Sequence, residues 1–172
     1  MDAGEKEELL GSLRSGQSAL LETLAGVTEE AAARLPGPGK WSILQCVEHL
    51  AATESILFER VQAATHAGEP VVNTRREALI QARGADRRRP IQAPEAAVPA
   101  GRFSTLADAI REFVAHRRRT IDFVENATGD LRCDLTTHPI IGQVNCYEML
   151  LMMAMHPQRH AKQIQEILAE LH

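Results

Sequence analysis

The end of the chain carries an apolar stripe that only a helix can line up. Met149, Met153, His156, His160, Ile164, Ile167 and Leu171 follow one another at steps of three or four residues, which keeps one face of an α-helix toward a core. Two of these positions are imidazoles. Residues four apart on a helix stack one above the other, so His156 and His160 can converge on one point. Two neutral imidazoles side by side can ligate one divalent cation, and burying them without partners is costly. Packed core histidines bonded to backbone give the same spacing, so the pair alone leaves both readings open. The zincin pattern is absent, because Pro157 stands where that motif needs Glu and neither 158 nor 159 is Glu. A third ligand has to come from elsewhere.

Pro157 has a local consequence. It cannot donate to the carbonyl of Met153, and its ring crowds that turn, so a kink is expected over Met153–Pro157. The kink is compatible with ligation if it tilts the two imidazoles toward one ion.

A second segment, Gly39–Leu50, reads G-K-W-S-I-L-Q-C-V-E-H-L. Ser42 followed by Gln45 is a capping box, so a helix starts here with Trp41 just ahead of the cap, and the preceding L-P-G-P-G breaks any earlier helix. His49 falls two turns in, at the margin of a face made by Ile43, Cys46, Val47, Leu50, Ile56 and Leu57. On its own it reads as a half-solvated flank residue.

Helical patterning extends over most of the chain. One helix is expected from about Glu5 to Leu35, broken near Gly26 with a restart at Thr28, and a second from about Ser42 to His66. A third starts at Ser104 or Thr105, capped against Asp108, and stops before Gly129; a fourth follows Asn145 and reaches Leu171. The link from about Ala67 to Arg102 is expected to hold a short helix over Thr74–Ala85, capped by Asn73 or Thr74, and then an extended or irregular stretch over Arg87–Pro99. A link of this length leaves room for a crossover and could act as a lid that admits an anion through Arg83 or Arg87–Arg89. Composition fits: 172 residues suit one domain with a sizeable core, and 44% are hydrophobic yet only 3% aromatic, which favours helix packing over a β-sandwich.

The two motifs together, K-W-S-I followed by H-L around residue 50 and H-x-x-R-H-x-x-Q-I near the end, resemble the DinB-like family of small metal-binding four-helix proteins, which shares only a name with the DNA polymerase. The resemblance spans nearly the whole chain. It implies an all-α four-helix bundle of up-down-down-up order, and a divalent metal held by His49, His156 and His160. It also implies thiol-dependent S-transfer or metal-dependent hydrolysis as activities, with a low-molecular-weight thiol as a further cofactor.

Three neutral imidazoles would leave a divalent ion its full charge and an open position, the ligand count of catalytic zinc. Water or a thiol there would be acidified. Imidazole suits zinc or nickel, with iron also acceptable. The alternative to an enzyme is a stress-response metal-binding module, or a helical interaction protein whose histidines merely pack. No general base stands out. Glu54 could orient an imidazole from the second shell or lie on the surface; Gln163 could line the pocket; Cys46 and His138 could approach it; His66, His116 and His172 read as surface residues, and Arg117–Arg119 as mostly solvent-facing. A net charge of −4 argues against nucleic acid, and no apolar run is long enough to span a membrane. An acidic start and three scattered cysteines suit a cytoplasmic protein. A small-molecule substrate and a homodimer are expected.

Overall fold

Cap chemistry sets the boundaries of the main helices. In the computed structural model, which describes residues 1–88 and 91–171, α1 spans Ala3–Leu24 behind an Asp2–Glu5 capping box, and α2 spans Glu29–Ala33 behind Thr28. Helix α3 spans Ile43–Gln62, where Ser42 Oγ accepts from the Gln45 amide and Gln45 answers to the Ser42 amide. Helix α4 spans Thr74–Arg83 behind Asn73; α5 spans Leu106–Asn126 behind Thr105; α6 spans Cys146–Leu171. Asn145 and Glu148 close the start of α6 reciprocally, each side chain accepting from the other's amide.

The four long helices α1, α3, α5 and α6 form the bundle. Lys6 at the start of α1 donates to the carbonyls of Glu125 and Ala127 at the end of α5, and Glu29 takes the amides of Leu106 and Ala107 at its start, so α1 and α5 run oppositely. One core cluster joins Leu9, Leu10 and Leu13 with Leu57, Val61, Met149 and Leu150; the other joins Leu20 and Leu24 with Ile43, Val47, Ile164 and Ile167. Helix α6 is therefore parallel to α1, and α3 is antiparallel to both. The order is up-down-down-up, with the long link running between the two parallel helices α3 and α5.

A polar layer separates the two clusters and corrects the sequence reading of Arg117 and Glu54. Arg117 is fully buried, not solvent-facing, because at its height on α5 all four helices meet. Its Nε and Nη2 donate to the two carboxylate oxygens of Glu54, each at 2.7 Å, and Thr120 Oγ1 donates to the same carboxylate at 2.8 Å. Arg117 Nη1 donates to the Leu13 carbonyl at 2.9 Å, and Nη2 donates to the Met153 carbonyl at 2.7 Å. The last bond answers Pro157: the carbonyl that proline leaves without an amide takes a guanidinium instead. Helix α6 passes through Pro157 unbroken.

The periodicity gave no sign of a three-stranded antiparallel sheet. The sheet comprises β1 (Thr65–His66), β2 (Asp134–His138) and β3 (Gly142–Asn145), with Thr65 opposite Leu135 and Thr136 opposite Val144. Helix α3 accordingly stops at Gln62, before the expected His66. Among the described residues no helix is long and apolar enough to cross a membrane.

Gly16 fixes how closely α1 approaches α6. A Cβ there would press on the Ala154 carbonyl oxygen, a backbone atom with nowhere to go, whereas a Cβ at Gly11 would meet open space. Gly11→Ala should stabilise by about 0.5–1 kcal/mol through helix propensity. Gly16→Ala, the same exchange on the same helix, should destabilise by about 1–3 kcal/mol through overpacking. Urea midpoints of the two variants check the opposite signs.

Candidate metal centre

His49 comes from α3, and His156 and His160 from α6. The box at Ser42 fixes where α3 starts, and that places His49 two turns in, on the side facing α6; it is 5% exposed. The three histidines come together. Their candidate ligand atoms all lie within 4.8 Å of one another. His156 Nε2 stands 3.3 Å from His49 Nε2 and 3.0 Å from His160 Nε2. Three nitrogens bonded to one ion at about 2.0–2.1 Å would be separated by roughly 2.9–3.4 Å, whether the angles are octahedral or tetrahedral. The rings of His156 and His160 are nearly perpendicular, at 89°.

Proton counting is compatible with the same reading. His49 Nδ1 lies 2.7 Å from the Ala97 carbonyl, which only accepts, so Nδ1 carries the hydrogen and Nε2 presents a lone pair. If His156 Nε2 carries a hydrogen, it can be shared between its two neighbours, but the hydrogen of His160 must then sit on Nδ1. That atom is buried and makes no hydrogen bond. If His156 Nε2 is instead a lone pair, it faces the lone pair of His49 with nothing between. A cation at the centre takes all three lone pairs at one point and so removes the second conflict, with the hydrogen of His160 on Nδ1 in that case too.

The electrostatics keep all three rings neutral. Burial pushes His49, His156 and His160 below the ordinary imidazole range, His160 to about 3, and the neighbouring imidazoles push His156 and His160 further the same way. Arg117 and Arg159 also disfavour protonation of His156, while a side-chain interaction with Gln163 works the other way at His160. Neutral imidazole is the form that ligates. The Trp41 ring lies 5.0 Å from the His49 ring, centroid to centroid, against the approach from α3.

Other candidates go elsewhere. Cys46 is a packed core residue whose thiol burial pushes up to about 12, so it stays protonated. His138 Nδ1 faces the amides of Ile140 and Ile141 at the β2–β3 turn. His66 pairs with Asp134, and His116 with Glu112; His172 lies outside the described residues. Gln163 Oε1 accepts from Arg87, which also holds Glu166, so the link is clamped to α6 one turn beyond His160. Arg89 of the proposed anion entry lies outside the described residues. Sequence reasoning missed the part of the link that touches the site, the 3-10 turn Glu95–Ala97, whose carbonyl orients His49. Backbone groups leave no signature in side-chain pattern.

None of the curated proteins matches this sequence. Among solved structures, YfiT from Bacillus subtilis, described as a probable metal-dependent hydrolase with an unusual four-helix bundle topology, superposes with a TM-score of 0.65 at 14% identity over 99% of this chain and 90% of its own. At that identity the likeness speaks for the fold. The sequence model of the DinB superfamily matches residues 12–164, which include the three histidines, the whole of α3 and α5 and most of α1 and α6, and the chain belongs to that superfamily.

Proposed function

We propose that His49, His156 and His160 hold one divalent transition metal through their Nε2 atoms and that the protein is a metal-dependent enzyme acting on a small molecule. The observation that carries this is the convergence of three imidazoles, their ligand atoms within 4.8 Å of one another and His156 Nε2 standing 3.3 Å from His49 Nε2 and 3.0 Å from His160 Nε2. Zinc and nickel suit the donor set best, and iron also fits it. A divalent ion in this site supplies Lewis acidity, which lowers the pKa of a thiol or water beside it.

The chain's own residues do the rest. The Ala97 carbonyl fixes the tautomer of His49. Arg117 and Glu54 hold the turn from which His156 projects, by way of the Met153 carbonyl. The carboxylates nearest the three histidines in sequence are all committed, Glu48 to Arg102, Glu54 to Arg117 and Glu166 to Arg87. That leaves little to serve as a general base for attack by water. A thiol starts from a pKa of about 8.5, far nearer neutrality than water, and reaches the thiolate without a protein base, so S-transfer from a low-molecular-weight thiol to a small electrophile is our preferred reaction. Hydrolysis is the second reading, favoured by the description of YfiT.

Elemental mass spectrometry of the untagged protein tests the centre. We expect about one equivalent of a transition metal in the wild type and none in His156→Ala or His49→Ala, the result a cross-helix site with three ligands requires. A wild type that holds no metal even after incubation with zinc or nickel would overturn the enzyme reading.

A further inference from the structure

We infer that the end of the α3–α5 link is a strap that aims His49 at the centre, and that Glu48 is the positioning residue holding the strap. The inference rests on the three-histidine reading above. Glu48 and His49 are consecutive on α3, and both grip the same short segment. His49 Nδ1 donates to the Ala97 carbonyl at 2.7 Å. The Glu48 carboxylate accepts from the amides of Ala100 at 2.6 Å, Gly101 at 3.2 Å and Arg102 at 3.2 Å, and from Arg102 Nη1 at 3.1 Å.

The segment is built for this grip. Gly101 has φ +76°, which turns three successive amides toward one carboxylate, and a side chain there would strain the backbone. Arg102 reaches back to donate to the carbonyls of Ala96 and Val98, each at 3.3 Å. The Ala97 carbonyl between them is left pointing at His49. Glu48 is only 1% exposed, and a buried carboxylate with four donors is a rigid anchor. Its bonds fix Ala100–Arg102, those residues and Arg102 fix the 3-10 turn at Ala97, and the Ala97 carbonyl fixes the ring angle and tautomer of His49. Glu48 itself makes no bond to any of the three histidines.

The test uses the full chain with Glu48→Gln and, as a milder change, Arg102→Gln. Glutamine keeps the shape but offers one oxygen only: with that oxygen toward Ala100 and Arg102 its NH2 faces the Gly101 amide, donor to donor, and the charge that holds Arg102 is gone, so the grip loosens. Two readouts are taken: the tautomer of His49 from ring 15N shifts in metal-free protein, and zinc affinity by competition with a chromophoric chelator. Wild type should show His49 wholly as the Nδ1–H tautomer. Glu48→Gln should show a tautomer mixture and zinc binding weakened about 10–100-fold, and Arg102→Gln a smaller shift of both in the same direction. A merely structural Glu48 would lower the unfolding midpoint and leave the tautomer untouched. Nδ1–H retained in Glu48→Gln, with zinc affinity unchanged, would overturn the strap. Failure of the metal reading looks different: wild type would show a fixed His49 tautomer and bind no zinc, which removes the purpose assigned to the strap while leaving its grip visible.

Discussion

Arg117→Leu alone is expected to cost about 3–5 kcal/mol, enough to unfold much of a marginally stable domain, because it leaves the Glu54 carboxylate buried without its cation. The pair together is a different matter. Desolvating two charges nearly cancels their attraction, so Glu54→Leu/Arg117→Met should recover most of the loss. It should not recover all of it. The double variant still strips the Met153 carbonyl of its donor, and Pro157 prevents the helix from supplying another. An unsatisfied buried carbonyl costs about 1–3 kcal/mol. Adding Pro157→Ala to the double variant returns an amide to that carbonyl and should restore stability to near wild type, whereas a substitution remote from it should not. Urea unfolding of metal-free protein reads all four variants. A double variant as unstable as Arg117→Leu would sink the argument.

The same layer shows where sequence reading stops. Pro157 disclosed a carbonyl without an amide, since the i→i−4 rule is local. Its partner, 36 residues earlier in the chain, was not legible. Arg117 sits in a run of three arginines, a pattern that ordinarily marks a solvated face, and Glu54 lies 63 residues from it, so nothing local links them. The helices were legible because their caps are local: Ser42 with Gln45, Thr105 with Asp108, and Asn145 with Glu148 lie three residues apart. Strands β2 and β3 were not, because a five- and a four-residue strand of mixed polarity offer too few alternations to detect. The His156–His160 pair was visible from helical spacing. His49 was joined to it through the family resemblance, since its own position at a helix margin was ambiguous.

Acidification between pH 6.5 and 5 should destabilise the metal-free protein, and the sign follows from linkage. The three cluster histidines have folded-state pKa values below their unfolded value of about 6.5, burial being the largest cause. The unfolded chain therefore binds protons that the folded chain refuses, and stability, fully present above pH 6.5, falls as pH drops toward the folded values. For His160, whose folded pKa is about 3, the loss at pH 5 is about 2 kcal/mol, since each pH unit in the window costs roughly 1.4 kcal/mol per refused proton. His138, also lowered by burial, adds to the same slope, so His138→Asn serves as a control to subtract it. Carboxylates that arginines hold low, such as Glu166, lose their contribution only at more acid pH and stay out of this window. His160→Gln should flatten the slope of the urea midpoint between pH 7 and 5. Zinc at 100 times its Kd should raise stability at pH 7.5 by about 2.7 kcal/mol, and that margin should close on acidification as protons compete for the three imidazoles. A slope indifferent to both His160→Gln and zinc would mean that the rings are protonated in the folded state, which three clustered ligand nitrogens do not allow.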